Sequence, residues 1–375
     1  MDAWKLAAAL LICLCFGSIH AYGVLLTPVE QWLGTSRTVA SLGYAIAIAA
    51  LTAGVYLNGR IEMKVGLRLR LIGCGILATL GLIIAGGGAS TAGLLIGFGL
   101  MYGLANGVAY AMSLGIAAAA MPSREAQAMG LATASYGLGA VLCAQLFSAA
   151  LKSVQVASIL LALAPVILAA CVLGAILVHS NRQNDALSAQ GYPLALPQQL
   201  LVLWFSYLLG AFAGLMVLAH APAIALWRAS ETVQPGLFSG VVSFGSVAGG
   251  YLGGVLGERL PGPRGVALPL IVQSAALASL LLLSGPAPVA VALGLAGFCY
   301  GVLIAVVPVE VRRISGVQGF ARSYGRVFTA WGVAGIAGPV TAGFLYDVTL
   351  GYGAALAMAA VLSLCSCIFI LSVGK

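Results

Sequence analysis

His20 and Tyr22 stand two residues apart in an otherwise aliphatic stretch, and His220 follows Met216 by one helical turn in another. An ionisable side chain is costly inside an apolar segment, so each histidine is a candidate for binding or coupling. Imidazole titrates near neutrality and can take a proton from one side of a barrier and release it on the other. The competing role for His20 is a structural bond to a nearby backbone carbonyl. Met216 and His220 share a helix face, and thioether plus imidazole suits Cu(I). Copper entry, outer-gate hydrogen bonding and plain packing therefore all stay open for His220. Tyr102, Asn106 and Tyr110 recur every four residues, and Tyr136, Tyr300 and Trp331 add further rings with a polar edge. Such rings can line a cavity for a small carboxylate or planar solute, although aromatics also anchor helices at membrane surfaces. Asn106 is more telling, because a mid-helix amide needs a partner.

These side chains must be carried by membrane-spanning helices. With 62% hydrophobic and 7% charged residues and a mean hydropathy of +1.09, the chain departs far from a soluble globule, where charged residues run near a quarter. Apolar runs long enough to span, about 20 residues each, cover 4–27, 38–57, 70–87, 92–120, 128–151 and 154–178, then 198–226, 236–257, 265–284, 287–309, 324–346 and 351–373. Twelve spans in 375 residues leave no room for an extramembrane enzyme domain. Placing both termini in the cytoplasm puts 14 of the 17 Lys and Arg residues inside and only Arg37, Lys152 and Arg228 outside, as the positive-inside rule asks. The net charge of +8 thus follows from topology, and no basic stripe with interleaved aromatics is left for nucleic acid. Lys5, the apolar run after it and Ile19-His20-Ala21 weakly imitate a secretory signal. Cleavage there would leave an odd number of spans.

Several chemistries lack their residues. The eight cysteines all fall within spans, where thiols act as small hydrophobes, and no disulfide framework, metal set or other cofactor is implied. The Gly-rich turns lack the Gly-Lys-Ser/Thr of a phosphate loop. Neither G-x-S-x-G nor H-E-x-x-H occurs, so an enzyme is not expected. No charged ring or repeated filter sequence suggests a channel.

The turn Gly59-Arg60-Ile61-Glu62-Met63-Lys64-Val65-Gly66-Leu67-Arg68 returns as Gly254-Val255-Leu256-Gly257-Glu258-Arg259, 195 residues later. Trp32 and Trp227 keep the same offset, as do Tyr136 and Trp331, while Tyr102-Gly103 and Tyr300-Gly301 are 198 apart. A duplicated bundle is expected: residues 1–178, a polar cytoplasmic linker at 179–197, and residues 198–375. Such folds hold solute near the bilayer midplane and expose it alternately to each side. Fifty glycines suit close helix packing, which can serve sliding or dimerisation; a monomer is expected.

The 59–68 turn resembles the loop between the second and third helices of the major facilitator superfamily. Within it, the chain is most similar to the oxalate/formate antiporter and monocarboxylate transporter group. Tyr22-Gly23 through Pro28 with Thr35-Ser36-Arg37, Gly214 through Pro222, and Tyr324 through Pro339 carry that likeness. The resemblance implies an all-α fold of two pseudo-symmetric six-helix bundles. It also implies a gate built around Gly59, Glu62, Lys64, Gly66 and Arg68 in one half and Glu258 and Arg259 in the other. Arg326 is expected at the inner mouth or in gate pairing. Met63 stands where the family has aspartate, so the first latch is expected to run through Glu62. Antiporters of this group carry an arginine where this chain has Gly250 and a lysine where it has Trp331. Without those cations a dianion at the midplane would be uncompensated, which disfavours oxalate. The expectation is an inner-membrane secondary transporter for a monocarboxylate-like anion moving with protons. Export of an amphipathic or neutral compound is the main alternative, with a copper transporter or a non-transporting receptor on this scaffold behind it.

Overall fold

The computed structural model describes residues 2–35, 37–62, 64–178, 198–229 and 235–373; the 179–197 linker and Met63 lie outside them. All regular elements among the described residues are helices. They are α1 Ala3–Leu33, α2 Arg37–Ile61, α3 Leu67–Gly87, α4 Thr91–Ala120, α5 Glu125–Ala150, α6 Val156–Leu177, α7 Gln198–Ala229, α8 Pro235–Arg259 and α9 Pro263–Leu282, then a run Pro286–Thr349 and a last helix Gly353–Val373. The 64-residue run is two helices, because Gly316 (φ 67°, ψ 179°) interrupts it with non-helical backbone. It divides into α10 (286–315) and α11 (317–349), and the last helix is α12. Among the described residues eleven helical runs are long and apolar enough to cross a bilayer, and the break at Gly316 divides the longest of them, so twelve helices stand where twelve spans were expected.

Helix ends follow local chemistry. Asp2 caps α1 by accepting the Lys5 backbone N–H at 3.2 Å, and its carboxylate meets Lys5 Nζ at 3.0 Å. That lysine holds the Asp2 carboxyl below its usual range. Both α9 and α10 open on Gly-Pro: Gly262 and Gly285 take φ 90° and 89°, and proline enters the first turn, where no N–H is needed. Several spans run longer than hydropathy marks them. α1 continues to Leu33, α3 begins at Leu67 and takes in Arg68 and Arg70, and α11 begins at 317 rather than 324. Charged residues within these extensions (Glu30, Arg68 and Arg322) lower hydropathy without breaking helical hydrogen bonding, which explains the difference.

Two helices are irregular where the candidate site lies. α1 tightens into a 3₁₀ turn at Gly17–Ala21, and α4 widens into a π stretch at Leu94–Tyr102. Both departures change which carbonyls find a partner inside the helix, as often happens near functional sites.

The chain forms two compact units. One comprises Met1–Ala128, Ser135–Tyr192 and Val317–Arg326; the other comprises Met129–Ala134, Pro193–Gly316 and Val327–Lys375. In the first unit α2 and α4 approach so closely at Gly103 that a Cβ there would overlap the Ala47 carbonyl. In the second, a Cβ at Gly301 of α10 would overlap the Ser246 carbonyl of α8 in the same way. The duplicated Tyr-Gly pair therefore marks equivalent helix crossings in the two units.

Candidate functional site

In the first unit, six of the expected residues form one connected network around the 3₁₀ turn of α1. Asn106, wholly buried on α4, donates through Nδ2 to the Phe16 carbonyl at 2.7 Å. A carbonyl can only accept, which sets the amide orientation; its Oδ1 then accepts the Tyr136 hydroxyl of α5 at 2.9 Å. The mid-helix amide has both ends satisfied, one on backbone at the helix irregularity and one on a ring. Gly17 lets α5 come this close, since a Cβ at that position would overlap the Tyr136 carbonyl.

The other tyrosines separate into supports and surface. Tyr102 is fully buried and its hydroxyl meets Ser18 Oγ at 2.7 Å. Ser18 spends its own proton on the Cys15 carbonyl at 2.6 Å, so Tyr102 must be the donor to Ser18. Tyr22, also buried, donates to the Ala40 carbonyl at 2.6 Å. Tyr110 is buried with its ring 4.9 Å from that of Tyr136. His20, Tyr136 and Tyr44 are instead half-buried. His20 Nδ1 lies 2.7 Å from the Tyr44 hydroxyl, and its ring stands nearly perpendicular to Tyr136 with centroids 5.5 Å apart. Tyr44 was not among the residues singled out from sequence. The available signal was a tyrosine within the small, aliphatic stretch Gly43-Tyr44-Ala45-Ile46-Ala47. Ser18 was equally missed.

In the second unit Trp331 donates from Nε1 to the Tyr300 hydroxyl at 2.8 Å and stacks on Phe328 with centroids 5.0 Å apart. Both partners are buried. Gly214 on α7 makes room, because a Cβ there would overlap the Tyr300 ring. Trp204, also overlooked in sequence, bonds Thr329 Oγ1 at 2.8 Å. His220 belongs to a different cluster. Its Nε2 donates to the Pro339 carbonyl at 3.1 Å and its Nδ1 lies 3.0 Å from the Tyr352 hydroxyl. It thereby ties α7 to α11 and to the start of α12. Met216 is packed in a buried apolar cluster with Leu277, Leu293 and Leu356, so neither half of the Met-His pair is poised to take a metal without breaking existing contacts.

The position of the missing arginine is also filled. Gly250 is buried, and a Cβ on it would touch the backbone of Ala134 at 3.4 Å. Gly130 faces Gly254 still more tightly, with a Cβ-to-Cα approach of 2.7 Å. Small residues at these places pack two backbones together where a long cationic side chain would have to pass.

Among the residues expected at the gate, Glu62 pairs with Arg70 at 3.6 Å, and Arg70, which is buried, also donates to Asn58 Oδ1 at 2.9 Å. Arg68 donates to the Val178 carbonyl at 3.0 Å, closing the end of α6 against the start of α3. Lys64 and Gly66 are exposed, and Gly66 has φ −61°, a conformation open to other residues. Gly59 is sterically required: a Cβ on it would sit 2.5 Å from the Arg322 Cα. Glu258 and Arg259 lie exposed at the end of α8, and Arg326 is half-buried early in α11.

Sequence reading overlooked the buried carboxylate of Glu310. One oxygen accepts the Gly262 N–H at 2.8 Å and the other accepts Arg313 Nε at 2.8 Å. Arg313 is half exposed, so the ion pair itself contributes little; the backbone N–H of the strained Gly262 turn matters more. Glu310→Gln, which keeps an acceptor, is expected to lower thermal stability less than Glu310→Leu. The leucine variant strands that N–H at a cost of about 1–3 kcal/mol. Unfolding curves of the two variants in detergent check the order.

A separate groove of about 420 Å³ runs between α9 and α10, lined by Ala276, Ser279, Leu283, Ala287, Pro288, Val291, Ala292 and Leu295. Val291 is 71% exposed, and the lining is almost wholly apolar. It is an apolar furrow rather than a polar site.

The family model of the Major Facilitator Superfamily matches residues 8–230. The chain belongs to this superfamily. A Rattus norvegicus protein named monocarboxylate transporter 13 is 26% identical over 364 residues, covering 92% of this chain and 82% of the rat protein. The uncharacterized MFS-type transporter YhjX of Escherichia coli (strain K12) is 21% identical over 330 residues, covering 85% and 82%. Among solved structures, the human organic anion transporter MFSD10 (TETRAN) superposes with TM-score 0.76 at 15% identity, covering 98% of this chain and 99% of that one. FucP, in its outward conformation, gives 0.73 at 15% identity, covering 99% and 98%. At such identity the superpositions speak for the fold. This member of the superfamily is a multi-pass membrane protein of a transporter family, with the twelve-helix architecture of that family.

Proposed function

We propose that the chain is a secondary transporter working by alternating access, and that it moves a monocarboxylate-like anion together with a proton. The observation that carries the reading is the half-buried trio His20, Tyr44 and Tyr136, backed by the buried Asn106 amide. These groups supply hydrogen bonds, aromatic faces and one titratable ring. A single carboxylate arriving with its proton needs no more compensating charge than that, whereas a dianion would. Likeness to a protein named monocarboxylate transporter 13 supports the substrate class. Tyr22, Tyr102 and Tyr110 act as scaffold for the trio, and Trp331 with Tyr300 forms the aromatic counterpart in the second unit.

Glu62, Gly59, Arg68, Glu258, Arg259 and Arg326 belong to the gating region, with Lys64 and Gly66 at its rim. The working topology is an inner-membrane monomer with both termini cytoplasmic and halves at 1–178 and 198–375 joined by 179–197. Export of a neutral or amphipathic solute is the second reading, favoured by the predominance of phenols over charged groups in the network.

Uptake of labelled small carboxylates into proteoliposomes, with and without an inward proton gradient, tests the proposal. Gradient-driven accumulation of a monocarboxylate is expected. Absence of accumulation across the panel, with a neutral solute moved instead, would replace the first reading by the second.

A further inference from the structure

We propose that Tyr44 is the positioning residue of His20, setting which ring nitrogen carries the proton and keeping the imidazole hydrogen-bonded in both of its charge states. The inference rests on His20 being the coupling residue proposed above, but its test does not.

The geometry is specific. Tyr44 reaches His20 from α2 while α1 supplies the histidine, and the 2.7 Å separation from Nδ1 is that of a well-formed hydrogen bond. The Tyr44 ring is held in place by Tyr22, whose ring lies nearly parallel to it at 13° with centroids 5.8 Å apart. Tyr22 is in turn tied by its hydroxyl to the Ala40 carbonyl, one turn before Tyr44 on the same face of α2. A buried tyrosine on α1 thus fixes a half-buried tyrosine on α2, which fixes a histidine back on α1.

Within this unit the titratable side chains that meet the His20 ring include Tyr44 from α2 and Tyr136 from α5. Tyr136 gives its hydroxyl proton to Asn106 Oδ1 at 2.9 Å, so it meets His20 as a ring edge-to-face neighbour. Nδ1 is therefore served by Tyr44. A phenol hydroxyl both donates and accepts. When His20 is neutral, Tyr44 O–H donates to Nδ1, and the ring proton sits on Nε2. When His20 is an imidazolium, Nδ1–H donates to the Tyr44 oxygen. Rotation of one hydroxyl accommodates gain or loss of the proton with no movement of either ring. A backbone carbonyl on that nitrogen would accept in both states and disfavour the unprotonated form at that atom. Pro339 makes such a contact at His220 Nε2.

The test is nitrogen NMR of ¹⁵N-histidine-labelled protein in lipid bilayers, with the His20 signals assigned by their loss in His20→Ala. In the wild-type protein at alkaline pH, His20 Nδ1 is expected to resonate as an unprotonated nitrogen accepting a hydrogen bond. In Tyr44→Phe, which keeps the ring stacked on Tyr22, that resonance should move to the position of a nitrogen without a donor or be joined by an Nδ1–H signal. Tyr22→Phe should leave it in place. An unchanged His20 spectrum in Tyr44→Phe overturns the inference whatever the transport result. Proton-driven uptake by the same variant should fall at least tenfold. A changed spectrum with undiminished uptake would uphold the positioning role of Tyr44 and remove His20 from proton coupling.

Discussion

Asn106→Leu is expected to destabilise the first unit and to cut transport by more than tenfold. The substitution keeps the number of side-chain heavy atoms and brings in a better helix former, but it breaks two hydrogen bonds at once: that to the Phe16 carbonyl at the start of the 3₁₀ turn and that from the hydroxyl of Tyr136. In a soluble core each stranded group would cost about 1–3 kcal/mol. Between membrane helices measured side-chain hydrogen bonds average only about 0.6 kcal/mol and reach about 1.7, because the helices find other partners when separated. The smaller scale is the relevant one here, so a total loss of about 1–3 kcal/mol is expected from the two bonds. The functional effect should be larger than the stability effect. Tyr136 is part of the half-buried trio, and the α1 turn that presents His20 loses the tie this amide makes to it from α4, keeping that of Tyr102 to Ser18. Thermal unfolding and uptake by purified Asn106→Leu in the same lipid check this. Uptake above half the wild-type rate would mean that the amide serves packing alone.

His20→Ala is expected to abolish uptake driven by a proton gradient while exchange of labelled for unlabelled substrate continues. Accumulation and exchange differ in one step. Net accumulation against a gradient requires that a proton be bound on one side and released on the other, for which the imidazole is the suited group in the network. Exchange requires only that the carrier return loaded, and for that Tyr44, Tyr136 and Asn106 remain. The expected signature is a ratio: gradient-driven uptake reduced to the level of empty liposomes, with exchange kept within a few-fold of wild type. Equal losses of both would assign His20 to substrate binding rather than coupling. Unchanged gradient-driven uptake would remove it from the mechanism.

The 59–68 turn illustrates how far a linear reading reaches. Glu62, expected in the latch where Met63 replaces the aspartate, lies against Arg70. Arg68 lies in the same basic run, yet it closes the end of α6 through the Val178 carbonyl. Gly59 and Gly66 look alike as flanking glycines, but a Cβ would collide with backbone only at Gly59. Side-chain type gave the inventory of the turn, while neighbours brought by other helices decided which residues pair and which lie exposed.

The sequence by itself determined the membrane class, the twelve spans, the duplication and the superfamily, because these depend on composition, run length and local motifs that do not require knowing which helix lies beside which. It also singled out His20, Asn106 and Tyr136, since polar groups in apolar helices are conspicuous wherever they pack. Only the tertiary structure decided what those groups do. His20 meets Tyr44 across 24 residues, Asn106 meets the Phe16 carbonyl across 90, and Glu310 meets the Gly262 N–H across 48. Periodicity tells which residues share a face of one helix, but the partner of a buried donor is chosen by which faces meet. In this chain those meetings are set by close glycine contacts between helices, which cannot be read from a single helix alone.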